Sequence, residues 1–129
     1  MDSLLIFLQS LNVEKAIAVE FVCNLKYIRL NKYGHFQQQG KPGKYMGYVE
    51  NVRFRYYKTD MEGNEHTLWF SKTFPFIGDY HSFLKKTDAE LSVQAMNDCE
   101  IILLNYHQMM EIFDMNADTQ KFRAMLAER

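Results

Sequence analysis

Phe76-Ile77-Gly78-Asp79-Tyr80-His81-Ser82-Phe83-Leu84-Lys85-Lys86-Thr87-Asp88-Ala89-Glu90-Leu91-Ser92-Val93-Gln94-Ala95 is the stretch on which the reading of this chain turns. Its last part has the pattern of a strand, because Leu91, Val93 and Ala95 alternate with Ser92 and Gln94. Asn97-Asp98 supplies a turn after it. Ile101-Ile102-Leu103-Leu104 is then a short apolar run, as expected of a strand covered on both faces.

Working outward toward the N-terminus, the same alternation recurs. Thr67 to Phe70 reads as a strand, and Asp60-Met61-Glu62-Gly63-Asn64 before it reads as a hairpin loop, with Gly63 free to take a positive φ. Val52, Phe54 and Tyr56 alternate with Arg53, Arg55 and Tyr57, the pattern of a half-buried strand whose arginines face solvent or a partner. Gly40-Lys41-Pro42-Gly43 is a strong turn. Both ends of the chain have helical spacing instead. Leu4, Leu5, Leu8 and Leu11 form a stripe that Ile17, Phe21 and Leu25 continue. Ser3 is a candidate cap, and Asn12 is a candidate break between two short helices. Met109, Met110 and Phe113 make one later stripe, and Phe122, Met125 and Leu126 another. The predicted organisation is a helical segment over 1–26, strands over 27–105 and a helical segment over 106–129. That order predicts a mainly β fold, a jelly-roll β-barrel flanked by N- and C-terminal helices.

Composition narrows the function classes. The 129 residues are 47% hydrophobic and 24% charged, which suits one compact folded domain. The net charge of -1 lacks the basic excess of a self-sufficient nucleic-acid binder. Two cysteines, Cys23 and Cys99, are too few for a disulfide framework and are expected to be buried thiols in a reducing compartment. The apolar start is short and carries Asp2 where a signal peptide needs basic residues. With no segment of membrane-spanning length, a cytoplasmic location is expected.

Several pieces, in order, resemble the cyclic-nucleotide-binding domain of the Crp/Fnr transcription regulators. Gln38-Gln39-Gly40 resembles the family's Gln-Gly ahead of its second strand, and Tyr45-Met46-Gly47-Tyr48-Val49-Glu50 its aromatic-rich strand. Tyr57 to Glu65 resembles its strand and Asp-x-x-Gly-x-Glu hairpin. Phe76-Ile77-Gly78-Asp79 resembles the Phe-x-Gly-Glu that opens the phosphate-binding cassette, and Asp98-Cys99-Glu100 the residues before the last strand of the roll. The resemblance implies a double-stranded β-helix over the whole chain.

It also implies a site. In the family a short helix begins after the cassette glycine and turns its N–H groups toward an anion. A carboxylate beside the glycine meets a ribose hydroxyl, and an arginine with a small hydroxyl residue closes on the cyclic phosphate. Gly78 matches the glycine, and Asp79 stands for the usual glutamate. The Gly78-to-Ala95 span has the family length, which puts Ala89 at the arginine position and Glu90 at the Ser/Thr position. Losing one partner of a charge-assisted contact costs about 2–5 kcal/mol, and a carboxylate in its place adds repulsion. Lys85 and Lys86 read as exposed loop lysines. The expectation is a diverged pocket of Gly78, Asp79, Tyr80, Ala89, Glu90 and Leu91, with Leu68 and Trp69 on the base side, that does not bind cyclic AMP in the usual way and holds no cofactor.

Other chemistry finds little support in the residues. Trp69, Phe70, Phe76, Tyr80 and Phe83 are expected to fill the barrel. The histidines, His35, His66, His81 and His107, include no close His-x-His pair of the kind a cupin metal site needs. No Gly-x-Ser-x-Gly, His-Glu-x-x-His or Walker loop is present, so an enzyme is not expected. Asp88, Glu90, Asp98 and Glu100 read as a solvated acidic face. The expected partners are a small-molecule effector, a second copy of the chain held through Phe122, Met125 and Leu126, and DNA only through a C-terminal domain absent from this sequence; no membrane is expected. The competing expectation is a stand-alone β-roll that acts in protein interaction or dimerisation without a small ligand.

Overall fold

The computed structural model describes residues 2–71 and 74–127. Met1 and the Glu128-Arg129 end of the expected 106–129 segment lie outside the described residues. Helices α1 (Asp2–Ser10) and α2 (Lys15–Cys23) lead into β1 (Lys26–Leu30), β2 (His35–Gln37), β3 (Met46–Tyr48), β4 (Phe54–Thr59), β5 (Glu65–Phe70) and β6 (Phe76–Ile77). The short helix α3 (Tyr80–Lys85) precedes β7 (Ser92–Ala95) and β8 (Cys99–Leu104), and α4 (Tyr106–Phe113) and α5 (Ala117–Ala127) follow.

Among the described residues the strands form two four-stranded sheets, in the orders β1-β8-β3-β6 and β2-β7-β4-β5. Their pairings are antiparallel. This is the predicted jelly roll with helices at both ends.

Strand alternation sorts the core into two layers. Ile101 of β8 packs between the sheets with Phe54, Tyr56, Ile77, Val93 and Ala95. Its neighbours Ile102 and Leu104 face the other way, against Leu4, Leu8, Phe21, Met109 and Phe113 of the helices. The apolar run at 101–104 therefore serves both cores, as a strand covered on each face must. Gly47 of β3 lies where a side chain has no room, since an added Cβ would stand 2.6 Å from Ile101 Cγ2 and 3.0 Å from Ile77 Cγ1 and Phe36 Cε1.

The two helical ends clasp one another. The turn at Asn12, at a positive φ of 62°, sends its side-chain amide to Asp118 Oδ2 at 2.8 Å. Asn116 Nδ2 donates to the Leu11 carbonyl at 3.0 Å. Phe122 of α5 then packs against the rings of Phe7, Phe74, Phe76 and Phe113.

Some local expectations are corrected. Ser3 does not act as a cap; its hydroxyl shares a 2.6 Å hydrogen bond with Tyr48 Oη. Ile17 and Met125 are exposed. The residues their helices bury are Ala18, Phe21 and Val22 in α2 and Thr119, Phe122 and Leu126 in α5. The Phe122, Met125 and Leu126 stripe is thus no exposed patch, because Phe122 and Leu126 are already in the core. Cys99 is buried, but Cys23 is exposed. Tyr57 is buried although it alternates outward, because His35 Nε2 bonds its hydroxyl and the Arg55 guanidinium lies 4.0 Å over its ring. Arg55 is accordingly committed to its own sheet, with Glu65 at 2.9 Å.

Candidate functional site: the β-roll cleft

The Phe76-to-Ala95 stretch folds around a tight corner. Gly78 sits at φ 134°, a region that other residues rarely enter. An added Cβ there would meet Met46 Sδ at 2.8 Å. The Gly78 N–H donates to Tyr56 Oη at 3.1 Å, which ties the corner to β4.

Asp79 comes next and is buried. It is the N-cap of α3, its Oδ1 accepting the Ser82 N–H at 3.2 Å. Its Oδ2 accepts the Glu90 N–H at 2.9 Å. Both carboxylate oxygens are therefore engaged by the backbone of the cassette itself.

These residues border a cleft of ≈ 450 Å³ between β4, β5, α3 and the end of α5. One wall is set by an irregularity in β5. Tyr56 pairs with Trp69 and Tyr57 with Thr67, so Leu68 is an extra residue in the ladder. A bulge of this kind re-aims side chains, and the consecutive residues Leu68 and Trp69 both line the cleft. The Trp69 ring stacks on Tyr56, with centroids 4.8 Å apart and planes 15° apart. Its outer face stays open, since Trp69 is 41% exposed. Met46, Phe76, Leu84, Leu91, Leu126 and Ala127 complete the apolar lining.

Among the described residues the ionisable groups lining the cleft, besides Tyr80, are Lys58, His81, Asp79 and Glu90, and no arginine lines it. Tyr80 is half-buried beside it. Burial pushes the Tyr80 phenol above its ordinary value, against the pull of the Arg123 guanidinium on α5. Lys85 and Lys86 are exposed and do not line the cleft. The Lys86 ammonium lies instead 4.3 Å over the Tyr106 ring.

No family model matches the chain, and no curated protein matches it either. Solved structures do. The catabolite activator protein of Thermus thermophilus superposes with a TM-score of 0.71 at 20% identity, over 86% of this chain and 52% of that one. The sensor domain of the transcriptional regulator DNR from Pseudomonas aeruginosa gives 0.72 at 16% identity, over 90% and 78%. A cAMP-binding acyltransferase from Mycobacterium smegmatis gives 0.72 at 13% identity, over 84% and 33%.

The chain has the fold of a cyclic-nucleotide-binding domain. It spans about half the length of the catabolite activator protein. The same fold occurs in both regulators and an enzyme among these structures.

Within that fold, seven of the residues read from sequence line the one cleft: Leu68, Trp69, Gly78, Asp79, Tyr80, Glu90 and Leu91. Ala89 does not. It is buried, its N–H donating to the Lys41 carbonyl and its carbonyl accepting the Gly40 N–H, each at 2.8 Å. Phe76 and Phe83 are core residues, but Trp69 and Phe70 are exposed and do not fill the barrel. Sequence reasoning missed Lys58 and His81 at the cleft. Lys58 was within reach of a pattern argument, being two residues from Tyr56 on the same face of β4. Leu126 and Ala127 carried no local signal, since α5 reaches the cleft only by packing back on the roll.

Among the described residues no group of three or more His, Cys, Asp or Glu is placed to hold a metal ion. His66 Nε2 is 2.8 Å from Asp60 Oδ2 in the β4–β5 hairpin, and His35 is engaged with Tyr57. No described helix is long and apolar enough to cross a membrane.

Proposed function

We propose that the chain is the effector-sensing domain of a cytoplasmic Crp/Fnr-type transcription regulator, acting through an allosteric response and not through catalysis, with DNA contacted by a separate domain. Its effector is not cyclic AMP bound in the usual way. The observation that carries this reading is the engagement of Asp79. Where the family offers an anion free N–H groups and an arginine, this chain turns an internal carboxylate onto the Ser82 and Glu90 N–H groups. It then places the Glu90 side chain at the cleft. A cyclic phosphate entering there would meet two carboxylates and would have to displace hydrogen bonds already made.

The fold, the cassette corner and the cleft of ≈ 450 Å³ support a retained ligand site. The open face of Trp69 is its natural stacking surface. Calorimetric titration with cyclic AMP is expected to show no binding in the micromolar range, and micromolar or tighter affinity would overturn the proposal.

A second reading is favoured by a different observation. Leu68 and Trp69 are exposed together on β5, the edge strand of its sheet, where the bulge brings both to one side. An apolar surface of this kind suits a β-roll that works as an interaction or dimerisation module. Screening small molecules by thermal shift separates the two. A specific stabilising ligand supports sensing, whereas silence across the screen together with concentration-dependent dimerisation supports the module.

A further inference from the structure

A second cleft, of ≈ 560 Å³, opens on another part of the surface, between the turn at 42–45, the end of α3 and the start of α4. It shares no lining residue with the β-roll cleft. Its floor is apolar and aromatic, built from Pro42, Phe83 and the rings of Tyr45 and Tyr106. The two tyrosines are 43% and 38% exposed. Lys44 and Lys86 line the cleft with them, and among the described residues no carboxylate does.

The lysines come from unrelated segments. Lys86 closes α3 in the left-handed region at φ 57°, a conformation that costs energy in a residue other than glycine or asparagine. Its ammonium is held 4.3 Å above the Tyr106 ring. Interaction with the α3 C-terminus accounts for a cation at Lys86. It does not account for Lys44, nor for the exposed ring of Tyr45 beside the Lys86–Tyr106 pair.

An aromatic floor with two ammonium groups and no opposing acid complements one kind of molecule. A ring would cover the exposed face of Tyr45 beside the Lys86–Tyr106 pair, and an anionic substituent would take the charge-assisted hydrogen bonds. The size is that of an ordinary small-molecule site. We propose that this cleft binds a small organic anion built on an aromatic ring, an aromatic carboxylate or sulfonate, at a site separate from the β-roll cleft. The proposal does not depend on what the β-roll cleft binds.

The test uses anilinonaphthalene sulfonate as the probe, followed by fluorescence and by amide chemical-shift mapping on the full chain. The expected result is saturable binding that shifts the amides of Tyr45, Lys86 and Tyr106. Both lysines are exposed, so Lys44→Glu/Lys86→Glu should fold, and circular dichroism checks this. If it does not, Lys44→Gln/Lys86→Gln takes its place. Affinity should fall about tenfold or more in the double variant. It should be unchanged in Lys58→Glu, which alters the β-roll cleft. Aliphatic methanesulfonate should fail to compete. Unchanged affinity in the lysine pair, shifts centred on Trp69, or equal competition by methanesulfonate would each overturn the proposal.

Discussion

Asp79 Oδ2 accepts the backbone N–H of Glu90 at 2.9 Å, joining the two ends of the cassette across eleven residues of chain. The same side chain caps α3 through Ser82. A carboxylate with this double role is a structural fastener as well as a wall of the cleft. Asp79→Ala removes the cap and leaves two amides without their acceptor. It should cost about 2–4 kcal/mol in urea denaturation, from the cap and the charge-assisted bond together. Asp79→Asn keeps one acceptor oxygen and should lose less. An Asp79→Ala variant as stable as the parent would show that water replaces both bonds without loss.

Gly47 leads to a prediction about packing between the sheets. Its missing Cβ is the space that Ile101, Ile77 and Phe36 already occupy. Two of these are rigid β-branched side chains, so relief must come from movement of β3 itself. Gly47→Ala should destabilise by about 1–3 kcal/mol. Ile101→Ala deletes the Cγ2 methyl that the new Cβ would meet, so Gly47→Ala should cost less in that background than alone. Thermal unfolding of the single and double variants measures the coupling, and simple additivity would show that Ile101 is not the limiting contact.

The depth to which the sequence could be read follows from how far each signal travels. Leu91, Val93 and Ala95 announced β7 by alternation, and Gly63 announced the hairpin turn that it occupies at φ 88°. Alternation is a property of neighbours and needs no tertiary context. The two-faced burial of β8 was likewise implicit in four adjacent apolar residues. Sequence reasoning failed where packing decides. Phe21, Phe122 and Leu126 are buried as their spacing implied, but Ile17 and Met125, at the margin of the same stripes, are left exposed, and Ala18, Val22 and Thr119 are buried in addition. Alternation would have split Leu68 and Trp69 between two faces; the resemblance put them together, and the bulge at Leu68 brings both to one cleft. The fate of Asp79 was hidden for another reason. Its residue type fitted a ligand contact, and only the fold shows both of its oxygens taken.

Phe122 offers a test of how α5 is held. It is buried and touches Phe7, Phe74, Phe76 and Phe113, and the residues one turn later, Leu126 and Ala127, wall the β-roll cleft. Phe122→Ala should lose about 3–5 kcal/mol, the range for deleting a core aromatic. It should also loosen α5 more than the roll. Hydrogen exchange is then expected to quicken in 117–127 before it quickens in β8, and uniform quickening would mean that α5 and the roll open as one unit.

Alkaline pH should weaken the fold in a defined way. Burial pushes the Tyr48 phenol above its ordinary value of 10.0, with Glu50 adding to the rise and the Ser3 hydrogen bond opposing it. Burial raises Tyr80 from the same value. In the folded chain both groups keep their protons at pH values where the unfolded chain has released them. The unfolded state then binds fewer protons, so stability falls as pH climbs through and beyond 10. Below that value the two phenols are neutral in both states and contribute no slope. Urea denaturation between neutral and strongly alkaline pH should show a plateau followed by a decline. Tyr48→Phe should shallow the decline while giving up the hydrogen bond to Ser3, so its stability should be lower than the parent's at neutral pH and converge on it at high pH. Parallel curves for the two proteins would show that Tyr48 ionises freely in the folded state.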